Sequence, residues 1–218
     1  MAQHEALHPV SPSAALERLR AGNARFVREL RSLESLGGRH RREALVDGQS
    51  PFAVILSCSD SRVPSELVFD CGLGDLFVVR VAGNVVAPSL VGSIEFAVST
   101  FGTRLVVVMG HTRCGAIAAT LDVVEGATPP SPNLRDLVDR ISPAVRSVIH
   151  HPGEDRAQIL HRATHANVRA SVDKLRHGST ILEQRVSDGR LLVVGAEYAL
   201  DSGEVTFLDT AEAAASAA

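Results

Sequence analysis

Four short, unbroken apolar runs constrain this chain more than any other feature: Phe52–Leu56, Leu76–Val79, Leu105–Met109 and Leu191–Val194. A strand that is apolar at every position has no face to give to water, so it must be covered on both sides, as parallel strands are. Segments of helical character separate the runs, Leu90–Thr100 and Ala116–Val124 among them. The alternation predicts an α/β fold, a mainly parallel four-stranded β-sheet with flanking helices. Val205–Leu208, after the Asp201-Ser202-Gly203 turn, is expected as an added edge strand. Between Pro129 and Arg185 the pattern is helical in pieces, over Leu134–Arg140, Ala157–Leu175 and Ile181–Arg185. No run approaches the roughly 18–20 apolar residues of a membrane span.

Upstream of the first run, Ser11 and Ser13 flank Pro12 and can cap a helix. Its apolar positions, Ala15, Leu16, Leu19, Phe26, Val27 and Leu30, recur at near-helical spacing up to the break at Gly37-Gly38. Residues 1–38 therefore read as an N-terminal helical arm of a single domain spanning 1–218, with 211–218 a frayed tail. The arm is basic: through Arg42 there are eight arginines and four glutamates. The whole chain has 22 basic and 25 acidic residues and a formal charge of −3, which offers no strong field to nucleic acid or to an anionic membrane. The basic stretch then reads as a solvated helix face. The start of the chain lacks the charged, apolar and small-residue sequence of a secretory signal, so the cytoplasm is the expected compartment. There, the three cysteines are expected as ligands, nucleophiles or small core residues rather than disulfides.

In open parallel sheets, ligands gather outside the carboxyl ends of the strands. The first run leads into Ser57-Cys58-Ser59-Asp60-Ser61-Arg62 and the third into Gly110-His111-Thr112-Arg113-Cys114-Gly115, which places both clusters at one sheet edge. Cys58, His111 and Cys114 make a Cys₂His set, the kind that holds zinc and leaves a fourth position for water or substrate. His-x-x-Cys alone is a weak motif, and a lone cysteine is most often a buried small hydrophobe, as Cys71 is expected to be. Asp60 and Arg62 stand beside the set. Elsewhere such a pair is a surface salt bridge worth little. Next to a metal whose charge two thiolates cancel, the carboxylate would orient the metal's water, with the arginine fork holding it ionised, and the expected nucleophile is zinc-bound hydroxide.

Cys-Ser-Asp-Ser-Arg-Val at 58–63 and Gly-His-x-x-Cys-Gly at 110–115 resemble the two signatures of the β-class carbonic anhydrases. The likeness runs through LRAGNARF (19–26), 69–84, GSIEFAV (92–98) and GAEYALDSG (195–203), and is loose near 126–185. It implies one Zn²⁺ per subunit on Cys58, His111 and Cys114, an Asp60–Arg62 catalytic dyad, and reversible hydration of CO₂ to bicarbonate and a proton by a homodimer or homotetramer. Asp60 becomes a fourth ligand in a closed state of the family. The resemblance also implies a substrate pocket partly across the dimer interface, with Gln49 and the Gly115 N–H as donors and Phe77, Ala82 and Phe96 as an apolar wall. The arm would wrap a neighbouring protomer.

Departures from the family pattern bear on regulation. Phe96 stands where tyrosine is common, and Val81 where a polar residue commonly follows the arginine matched by Arg80. One subclass closes the metal with aspartate through a bicarbonate site of tryptophan, arginine and tyrosine. Arg80 and Tyr198 match, but Ile55 replaces the tryptophan, so an open site with Asp60 on Arg62 is expected. Two alternatives accompany this reading: a carbon disulfide or carbonyl sulfide hydrolase on the same scaffold, and a non-catalytic zinc or redox-sensing protein whose basic arm binds a partner. His150, His151, His161, His165 and His177 are expected as surface histidines, with a proton-shuttle role the lesser reading for each.

Overall fold

The structure is a computed structural model and describes residues 10–30, 38–149 and 155–208. The expected frayed tail, residues 1–9 and 31–37 of the arm, and His150 and His151 lie outside these residues. Five strands form one sheet: β1 (Ala53–Ser57), β2 (Leu76–Arg80), β3 (Leu105–His111), β4 (Leu192–Tyr198) and β5 (Val205–Leu208). Their order is β2-β1-β3-β4-β5. The first four are parallel, as the sequence predicts, and the expected edge strand β5 pairs antiparallel with β4. β1 and β3 are buried at every position, which explains why their runs show no alternation.

Helices cover both faces. One core layer joins Ala15, Leu16 and Leu19 of α1 (Pro12–Val27) to Ile55, Val107, Met109 and Ala196 of the sheet. The other packs Val54, Leu56, Val106 and Val108 against α4 (Pro88–Thr100) and α7 (Arg156–His177). The remaining helices are α2 (Arg39–Ala44), α3 (Ser65–Val68), α5 (Gly115–Val124), α6 (Pro132–Arg146) and α8 (Thr180–Ser187).

Within one chain, α1 of the arm docks on its own sheet. Ser11 caps it by accepting from the Ala14 N–H, and Ala15 and Leu19 are fully buried. At Gly22 a Cβ would lie 1.9 Å from the Phe69 carbonyl oxygen, so only glycine permits this approach. Asn23 then ties three segments together. Its amide donates to the carbonyls of Val68 and Gly203, and its side-chain oxygen accepts from the Val205 N–H at the start of β5. Part of the basic stretch through Arg42 is paired internally, Arg18 and Arg41 with Asp75 and Arg25 with the buried Asp70.

Candidate metal centre

Each residue of the centre is delivered by the end of an element. β1 stops at Ser57 and places Cys58 at the sheet's carboxyl edge. β3 ends on His111, and Arg113 takes a left-handed φ of 55°, which turns the chain sharply enough to bring Cys114 back as the N-cap of α5. 

The bend lets one histidine and two cysteines from separate segments face a single point. Their ligand atoms all lie within 4.8 Å of one another, and all three residues are buried.

The hydrogen bonds fit a metal. His111 Nδ1 lies 2.9 Å from the Thr112 carbonyl, which can only accept, so Nδ1 carries the proton and the Nε2 lone pair faces the two sulfurs. Nε2 is buried and has no hydrogen-bond partner. Such an orphan is costly unless something else occupies its lone pair. The Gly83 N–H donates to Cys58 Sγ at 3.4 Å from a turn in which Gly83 has φ +69°, a conformation that glycine adopts freely. Without metal, the Cys114 thiol stabilises the Cys58 thiolate and lowers its pKa against the opposing effect of burial. Cys114 is correspondingly raised, by its hydrogen bond to Cys58 and by burial, while the Ala116 and Ile117 N–H groups at the start of α5 pull the other way. A divalent ion would replace the shared proton and satisfy all three donors.

Asp60 and Arg62 form a two-pronged pair. Arg62 Nε donates to Oδ1 at 2.9 Å and Nη2 to Oδ2 at 2.6 Å, while the Arg62 backbone N–H donates to Oδ1 at 3.0 Å in a local turn. Hydrogen bonding to Arg62 holds the Asp60 carboxyl well below the usual carboxylate range. Oδ2 lies 3.9 Å from His111 Nε2. Arg80 braces this loop by donating to the carbonyls of Cys58 and Asp60. Ile55 is fully buried in the core, and Tyr198 is buried with its phenol pKa raised by desolvation.

The remaining sequence-predicted residues divide into two groups. Ala82 adjoins Gly83, and Gly115 opens α5 directly after Cys114, so both belong to the centre's surroundings. Gln49 precedes β1 at the opposite edge of the sheet. Phe77 pairs with Val54, four residues before Cys58, a separation of about 13 Å along a strand. Phe96 on α4 is 53% exposed and packs with Phe77 and Phe101. Within one chain, these three do not converge on the cysteines. Sequence reasoning missed another convergence, that of Glu197 on β4 with His161 and His165 of α7. The i,i+4 histidine spacing was a signal, but nothing in the sequence pointed to the distant glutamate.

The fold and centre together define an α/β protein with a buried Cys-His-Cys group able to hold a metal at the carboxyl edge of a mainly parallel sheet. The family model described as carbonic anhydrase matches residues 53–205, and the chain belongs to this family, in its β class. It is 39% identical to carbonic anhydrase 2 of Mycobacterium tuberculosis over 199 residues, covering 91% of this chain and 94% of that protein. Identity to the carbonic anhydrase of Mycolicibacterium smegmatis is also 39%, covering 89% and 92%. Among solved structures, the β-carbonic anhydrase CafA of Aspergillus fumigatus superposes with a TM-score of 0.71 at 26% identity, covering 94% of this chain and 95% of that one. One of two tetrameric β-carbonic anhydrases from Sordaria macrospora gives 0.69 at 24% identity, covering 78% and 87%, a likeness of fold. The relatives support carbonic anhydrase activity and leave the non-catalytic alternative without support. Among the described residues, no helix is long and apolar enough to cross a membrane.

Proposed function

We propose that the chain hydrates CO₂ reversibly to bicarbonate and a proton, using one Zn²⁺ held by Cys58, His111 and Cys114. The observation that supports this most is the buried, unpartnered His111 Nε2 facing two thiols, with an arginine-bound carboxylate 3.9 Å away. Zinc, when bound, supplies the Lewis acidity that makes water a nucleophile near neutral pH. With the ion in place, Asp60 would accept a hydrogen bond from that water and orient it. Arg62 keeps the carboxylate ionised and holds both its oxygens, which would leave the fourth metal position to water, and Arg80 holds the loop that carries both. Ala82 forms a small apolar wall beside the centre, and the Gly115 N–H, one of those a helix leaves free at its start, donates to substrate oxygen.

Gln49, Phe77 and Phe96 complete the pocket in this reading from a second copy. Their distance from the cysteines of their own chain and the exposure of Phe96 favour a homodimer or a homotetramer, and the Sordaria macrospora neighbour is tetrameric. The test joins metal analysis to CO₂ hydration. Wild-type protein should carry one zinc per chain and be active, and Cys58→Ser should lose both. Metal-replete protein that hydrolyses carbonyl sulfide or carbon disulfide but leaves CO₂ unchanged would overturn the substrate assignment.

A further inference from the structure

On the face of the sheet covered by α7, His161 and His165 stand one helical turn apart, with Glu197 of β4 beneath them. We propose that His161, His165 and Glu197 form a second metal site, one that takes a divalent first-row transition ion such as Zn²⁺ or Co²⁺.

Glu197 Oε2 lies 2.9 Å from His165 Nε2 and 3.3 Å from His161 Nε2. The two imidazoles are 4.4 Å apart between centroids. Ligands about 2.0–2.1 Å from an ion are separated by about 2.9 Å along an octahedral edge and about 3.3 Å along a tetrahedral one, so both imidazoles already stand at coordination spacing from the carboxylate oxygen, and the three ligand atoms lie within 4.8 Å of one another. Hydrogen bonding alone accounts for the cluster poorly. Both imidazoles address one carboxylate oxygen, while the other, Oε1, is buried without a partner in a residue only 8% exposed. An ion would engage the carboxylate fully and bind both rings through neutral Nε2 lone pairs. Two imidazoles and one carboxylate suit zinc, cobalt, nickel or copper better than calcium or magnesium.

Access is open, because the His161 side chain is 55% exposed and that of His165 23%, leaving room for water at the remaining coordination positions. The location gives the site a mechanical consequence. Glu197 pairs with Gly110, the neighbour of His111 in β3, so an ion here would clamp α7 to the part of the sheet that carries the first centre.

The test uses protein already loaded with one zinc per chain, titrated with Zn²⁺ by calorimetry and with Co²⁺ by visible absorption. We expect one further equivalent per chain, accompanied by an upward shift in melting temperature. His165→Ala and Glu197→Gln should each weaken this second equivalent at least tenfold while the first metal is retained. His161→Ala, at a more exposed position where misfolding is not a concern, should weaken it as well. Absence of a second equivalent in wild-type protein, or a second equivalent that persists undiminished in His161→Ala and His165→Ala, overturns the proposal. Running the titration on Cys58→Ser as well separates the two centres, since the second site should survive there.

Discussion

The two clusters of potential metal ligands differ in where their donors come from and in how much water they meet. Cys58, His111 and Cys114 are all buried, sit at the ends of β1 and β3 and at the start of α5, and use soft thiolates. His161, His165 and Glu197 lie on the middle of α7 and within β4, graded from exposed to buried, and use imidazole and carboxylate. Burial makes the first set depend on its occupant, because two sulfurs and an orphaned Nε2 cannot all be satisfied without one. The second set is partly solvated, so it tolerates an empty state and should bind more weakly and reversibly. An Asp60–Arg62 pair stands beside the first cluster. In the proposed function the first cluster carries the chemistry, and the second is proposed only to bind.

Substitutions can break or sharpen the contrast. Cys58→Ser should have the largest effect, loss of the first metal and of CO₂ hydration to background, read by metal analysis and stopped-flow assay. Asp60→Asn should keep the metal and lower kcat about 10–100-fold, as expected for a group that acts through the metal's water. Cys71→Ala tests whether a buried cysteine outside both clusters matters to either. Burial pushes its thiol up to about 12, and it donates to the Phe69 carbonyl, so denaturant unfolding should show a loss of about 1 kcal/mol with metal content and activity unchanged.

Arg62→Ala should produce a pH-dependent and smaller change in stability, because Arg62 is half exposed. The Asp60 carboxyl is held below its unfolded value of about 3.9, so its contribution is present above pH about 4 and is lost as the pH falls through the folded value. Wild type and Arg62→Ala should therefore differ most near neutral pH and converge in acid, measured by unfolding at a series of pH values. The smallest effect belongs to His161→Ala without added metal, where stability should stay within about 0.5 kcal/mol of wild type.

How much of this was legible in the sequence depended on how local each signal is. Parallel strands buried on both faces announce themselves as continuous apolar runs, and Cys58, His111 and Cys114 could be placed together because all three follow strand ends. β4 runs to Tyr198, well past the predicted Val194, because Gly195, Glu197 and the small Ala196 interrupt the apolar pattern while the ladder to β3 continues. The docking of α1 rests on Asn23 reaching Val68 and Gly203, contacts 45 and 180 residues away that no local pattern encodes. Glu197 was hidden for the same reason, as was the separation of Gln49, Phe77 and Phe96 from the cysteines, which follows from strand direction and register. The Asp60–Arg62 pair was readable because two residues' spacing lets a turn close it.

The most direct test of the central claim is stopped-flow CO₂ hydration from pH 7 to 9 by wild type and Asp60→Asn, each carrying one zinc at the first centre. The account predicts turnover by wild type already at pH 7 and a slower Asp60→Asn at every pH with its zinc retained. Wild-type activity that appears only at alkaline pH, or an Asp60→Asn that matches wild type, would contradict it.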